Sequence, residues 1–158
     1  MREVEVVGVR VEMPTNQPLV LLRETEGSRY LPIWIGAVEA SAIAYAQQGT
    51  ETARPLTHEL MQHLVEALGD ELDEVRIIDV RDGIFYALLV FASGAEVEAR
   101  PSDSIALALR SGARIVCTED VLDAAGIHAT TDEDDEIEKF REFLDEVSPE
   151  DFEGPAGP

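Results

Sequence analysis

The 158-residue chain carries one cysteine, Cys117, so no internal disulfide can form and a reducing compartment is the natural setting. No apolar run approaches the roughly 18 residues that would mark a membrane-spanning helix. Met1 is followed at once by Arg2, Glu3 and Glu5, a poor start for a secretory leader. The expectation is a cytoplasmic protein with no membrane partner. Basic residues are also scarce, 12 Lys and Arg against 33 Asp and Glu, for a formal net charge of −21. Lys and Arg that neutralise phosphates supply most non-specific affinity for nucleic acid. Any DNA or RNA substrate therefore requires a concentrated arginine patch, a bound divalent cation, or both.

The acid excess is partly local. Residues 132–153 hold twelve acids against Lys139 and Arg141, a local charge of −10 that leaves −11 for the remainder. Apolar residues make up 45% of the chain, enough for a globular core. Residues 1–131 read as one domain and 132–158 as an acidic extension. Within that extension Ile137, Phe140, Leu144 and Val147, with Phe143 beside them, predict an amphipathic docking helix over 132–147.

Alternation over residues 3–11 slips phase at Val6-Val7, predicting a strand with a bulge near Gly8. Strands follow from Pro18 to Glu24 and from Arg29 to Ile35, then an Ala-rich helix after Gly36. That helix is apolar on nearly every side, which predicts burial, partly at a subunit interface. A second helix starts at Thr57, with Leu60, Met61, Leu64, Val65 and Leu68 as its core stripe and Gly69 past its end. Val75 to Arg81 and Ile84 to Ala92 flank Asp82-Gly83, a strong hairpin signal. The return strand is apolar on both faces, which predicts cover on both sides. Ala95 to Ala99 leads to a third helix, then Arg114 to Cys117 forms a short strand and Thr118 caps a short helix. Strand, strand, strand, helix thus occurs over roughly 3–48 and again over 74–111. The expected fold is α+β: a duplicated β-β-β-α unit with mostly antiparallel pairing, plus the acidic C-terminal helix.

The stretch most suggestive of chemistry is Arg100-Pro101-Ser102-Asp103-Ser104. Proline suits the first turn of a helix and pushes the residue before it into extended geometry. Ser102, Asp103 and Ser104 can cap free N–H groups there. Two other junctions share the design: Gly36 to Glu39, and Arg54-Pro55 running into Thr57, His58 and Glu59. Trp34 reads as core or interface, and Cys117 as an inert core thiol.

The segments LPIWIGAVEA at 31–40, RPLTHEL at 54–60 and RPSDSIALALR at 100–110 together resemble the bifunctional nuclease family over about residues 1–128. The chain departs from the family pattern with Glu59 in place of the usual Asp and Ser104 in place of a common Ala. The resemblance implies a compact α+β domain, commonly dimeric, with DNase and RNase activity in some members. On that footing the expected function is hydrolysis of DNA and RNA phosphodiesters with little sequence preference, assisted by Mg²⁺ or Mn²⁺. Glu39, Glu59 and Asp103 are the candidate metal ligands, and His58, Glu59 and Asp103 the candidate catalytic groups. Arg54, Thr57, Arg100, Ser102 and Arg110 are candidate substrate contacts, since guanidinium groups grip phosphate in pairs of hydrogen bonds. The alternative stays open: Glu39 pairs structurally with Arg54 or Arg100, Asp103 and Thr57 are caps, and His58 is exposed polar surface. The protein is then a non-catalytic dimeric module that binds a small anion or a protein partner at its Arg-Pro junctions.

Overall fold

A computed structural model describes residues 1–128. The predicted acidic helix lies outside the described residues. The elements run β1 (Arg2–Glu12), β2 (Gln17–Glu24), β3 (Arg29–Trp34), α1 (Ala37–Gln48), α2 (Thr57–Ala67), β4 (Leu72–Arg81), β5 (Ile84–Phe91), β6 (Glu96–Ala99), α3 (Pro101–Ser111), β7 (Arg114–Cys117), α4 (Glu119–Ala125) and β8 (Ile127–His128). The fold is α+β, built on one eight-stranded sheet in the order β6-β5-β4-β7-β1-β2-β3-β8. Every neighbouring pair is antiparallel except β4 and β7, which β5, β6 and α3 connect in sequence.

Local chemistry explains the strand junctions. Arg81 pairs with Ile84 across a two-residue turn in which Asp82 (φ 51°) and Gly83 (φ 77°) both take the left-handed conformation. That is the backbone a tight hairpin demands. The phase slip in β1 is a register shift between Val6 and Gly8 against β2. It lets Val4 and Val9, an odd five positions apart, both face the core.

The main core lies between one sheet face and the helices. Val20, Leu22, Leu31, Val75 and Ile77 meet Ile43, Ile105, Ala106, Val121 and Leu122 there. Leu22, Leu31, Ile43, Ile77, Ile105 and Leu122 are fully buried, each stabilising the fold by about 1.5–3 kcal/mol. On the other sheet face Leu19, Leu21 and Tyr30 form a smaller cluster with Val7.

Three expectations are corrected. In β5 only Ala87 and Leu89 are buried, and Ile84 is 59% exposed, so a single face carries the core. An antiparallel strand with helices on one side needs no second cover. In α1 the buried residues are Ala40, Ser41, Ile43 and Ala44, whereas Val38 is 76% exposed, so it is not buried all round. The third concerns α2, whose only buried residue is His58. Its leucine stripe points to solvent, with Leu60, Leu64 and Leu68 all exposed. The helix lies chiefly on α3. Polar contacts hold it there: His58 to Asp103, Glu59 to Arg110, and Gln62 Nε2 donating to the Arg110 carbonyl at 3.3 Å.

Candidate active site

Each of the three helices α1, α2 and α3 begins after an extended residue and carries an acid at its third position: Glu39, Glu59 and Asp103. Gly36 caps α1, as read from the sequence. The N-cap of α2 is Leu56 rather than Thr57, and Arg100 precedes α3; neither helix has a side-chain cap. Asp103 is therefore not a cap, and its carboxylate is spent on two other groups. Arg100 Nε donates to Asp103 Oδ2 at 3.0 Å, and His58 Nε2 lies 2.8 Å from Asp103 Oδ1. Arg100 Nη2 also donates to Glu39 Oε1 at 2.7 Å. The result is a chain of four side chains from three helix starts: Glu39, Arg100, Asp103, His58.

Two features of this chain matter for chemistry. A carboxylate only accepts, so Nε2 of His58 carries the hydrogen, and in the neutral ring Nδ1 keeps its lone pair. Nδ1 has no protein partner among the described residues. Arg100 is two-thirds exposed and uses Nε and Nη2, leaving both Nη1 hydrogens unengaged. The bonds from Glu39, then Asp103, raise its pKa and hold it charged. Both groups line a cleft of about 510 Å³ with Glu39, Thr57 and Asp103, walled by Val38, Leu56 and Met61. The His58 ring is buried, 7% exposed, which overturns its reading as exposed surface. Packing against α3 and the bond to Asp103 account for that.

The other candidates fall elsewhere. Arg54 is exposed on the α1–α2 connection and does not line the cleft. Ser102 is buried within α3 and does not line it either. Glu59 and Arg110 pair at 3.2 Å in a neighbouring hollow of about 300 Å³, which shares Tyr45 with the cleft. Arg110 is nearly buried, and its Nε has no partner among the described residues.

The expected metal ligands do not converge. Glu39 and Asp103 both turn to the Arg100 guanidinium, which compensates one of their two charges, and Glu59 is taken by Arg110. Among the described residues no three His, Cys, Asp or Glu side chains form a metal-holding group. The donor set does not fit a preassembled Mg²⁺ or Mn²⁺ site. Cys117 takes no part: it is fully buried, and burial pushes its thiol up to about 12. The residues missed from the sequence are the apolar walls, Val38, Leu56 and Met61. Met61 belongs to the stripe that periodicity assigns to the core, which marks it as packing rather than as lining.

A family model described as the bifunctional nuclease domain matches residues 20–130, a span that contains every residue of the cleft. Two curated relatives, uncharacterized proteins of Mycobacterium tuberculosis strains CDC 1551 / Oshkosh and ATCC 25618 / H37Rv, are each 57% identical over 161 residues. The alignments cover 96% of this chain and 98% of each relative.

Proposed function

The chain belongs to the bifunctional nuclease domain family, and from that premise we propose that its cleft hydrolyses phosphodiester bonds with His58 as general base. The observation that carries this reading is the 2.8 Å bond between His58 and Asp103 in a cleft that Arg100 also faces. A water between Nδ1 and the phosphorus gives its proton to Nδ1 as its oxygen bonds to phosphorus. The ester P–O bond on the far side then breaks, the departing oxygen takes a proton from solvent, and the imidazolium returns its proton to water. Asp103 holds the ring in the right tautomer and stabilises the imidazolium that forms, and Arg100 Nη1 compensates charge on the non-bridging oxygens. Glu39 holds Arg100 in place. These roles touch only the phosphodiester, so DNA and RNA both qualify and base sequence is not read. Phosphodiester cleavage with Mg²⁺, Mn²⁺ or EDTA, for the wild type beside Asp103→Ala and His58→Ala, tests the proposal. The expected result is a loss of about a hundredfold or more in both variants. Activity indifferent to both would mark a contaminant and end the reading.

A second reading draws on charge. Two carboxylates face one guanidinium in the cleft, so its fixed charge is negative and unfavourable for a polyanion. On this account the protein is a non-catalytic cytoplasmic module that takes a small anion or a protein partner at the Arg100 junction. Well-folded wild type without any cleavage would favour it. Both readings take the protein as a homodimer, with Trp34, 56% exposed, and the outer leucines of α2 as candidate contacts. Sedimentation of the wild type against Leu64→Glu tests that: the variant should run as a monomer.

A further inference from the structure

On the helix-bearing face, α2 stops short of β5 and β6. A cleft of about 490 Å³ is left there, floored by Leu89 and Phe91 and bordered by Val65 of α2 and Val97 of β6. Val97 is 48% exposed at its mouth, and Glu66 and Glu71 stand on its rim. Beside it β6 is the last strand of the sheet among the described residues. The Phe91 N–H donates to the Ala95 carbonyl at 3.0 Å, and the register continues as Val90 to Glu96 and Leu89 to Val97. Bonded pairs alternate along an antiparallel ladder. Val97 and Ala99 therefore bond towards β5, while Glu96 and Glu98 turn their N–H and C=O groups outward. The side chains of Glu96 and Glu98 lie on the opposite sheet face from Val97. Their nearest cations, Arg76 and Arg81, are already bonded to Glu74 and Asp79.

We propose that β6 accepts an extended segment of a partner protein, added as one more strand, in which apolar residues alternate with Lys or Arg. The apolar residues enter the cleft beside Val97, and the bases meet Glu96 and Glu98 across the new ladder. Charge selects this occupant. A second copy of β6 would set glutamate against glutamate. Residues 132–153 of this chain, with twelve acids against two bases, are repelled in the same way, as is nucleic acid. Glutamates on an edge strand also guard against self-pairing. A guard alone leaves unexplained the half-exposed Val97 above an apolar cleft.

The test uses the full-length protein and three short blocked peptides: alternating Val and Lys, alternating Val and Glu, and the Val–Lys composition rearranged as two blocks. Binding is followed by anisotropy, and the Glu96 and Glu98 amides by hydrogen exchange. The alternating Val–Lys peptide should bind, protect both amides and weaken with salt, whereas the other two should not bind. Glu96→Lys/Glu98→Lys and, separately, Val97→Glu should each lower its affinity by about tenfold. Equal binding of the Val–Glu peptide overturns the proposal. So does the absence of amide protection, or affinity unchanged in both variants. None of these outcomes depends on the cleft at His58.

Discussion

Arg29 and Arg100 sit in two clusters that look alike as lists of ion pairs and differ in what they leave open. Arg29 is 14% exposed and spends all three nitrogens, on Glu24 (Oε1 at 2.9 Å and Oε2 at 3.2 Å), Glu119 at 2.8 Å and Asp123 at 2.8 Å. Its bonds hold the buried Glu24 below the ordinary carboxylate range and, with Arg2, hold Glu119 at about 2. Arg100 is 66% exposed, shares two carboxylates and keeps Nη1 for the cleft. A saturated arginine ties β2, β3 and α4 together; an unsaturated one beside a histidine can receive a ligand. Saturation, not the presence of an Arg–acid pair, separates a brace from a site.

The largest effect expected from this contrast follows from Arg29→Met. The substitution strands the Glu24 carboxylate, 5% exposed, without its partner and should destabilise the fold by about 3–5 kcal/mol in chemical denaturation. Arg100→Ala should behave oppositely, with stability within about 1 kcal/mol of wild type and phosphodiester cleavage down about a hundredfold. Gly36→Ala sharpens the comparison further. A Cβ at Gly36 would run into Glu39 Oε2, the free end of a flexible side chain, so the carboxylate should swing off Arg100 rather than unfold α1. Melting should be unchanged and kcat/KM lowered by about tenfold. The smallest effect concerns acid. Glu119 titrates at about 2 in the folded chain against an ordinary 4.5, so its pairing is fully present above pH 4.5 and is lost as pH falls towards 2. Glu119→Gln should lower stability above pH 4.5, flatten the acid limb of the stability curve and leave stability near pH 2 in place.

The fold was legible where local chemistry decides it. Asp82-Gly83 forces a tight turn, Pro101 opens a helix, and Val6-Val7 betrays a bulge, whatever the rest of the chain does. The orientation of α2 was not legible. Two sides compete on it: Leu60, Leu64 and Leu68 by hydrophobicity, and His58, Glu59 and Gln62 by contact with α3. Periodicity reports that a helix has an apolar side, not which side meets the body, and here the polar bonds to Asp103 and Arg110 decide. The same limit hid the site. Arg54 and Arg100 share an Arg-Pro context, yet only Arg100 meets Glu39, because α1 packs along α3 while the α1–α2 connection stays outside.

The most direct measurement is the cleavage rate of bis(4-nitrophenyl) phosphate by wild type, His58→Ala, Arg100→Ala and refolded Arg29→Met under one condition. The two cleft variants should lose activity while Arg29→Met, though less stable, keeps the wild-type rate as long as it is folded. Full activity in His58→Ala, or no cleavage by well-folded wild type, would contradict that expectation.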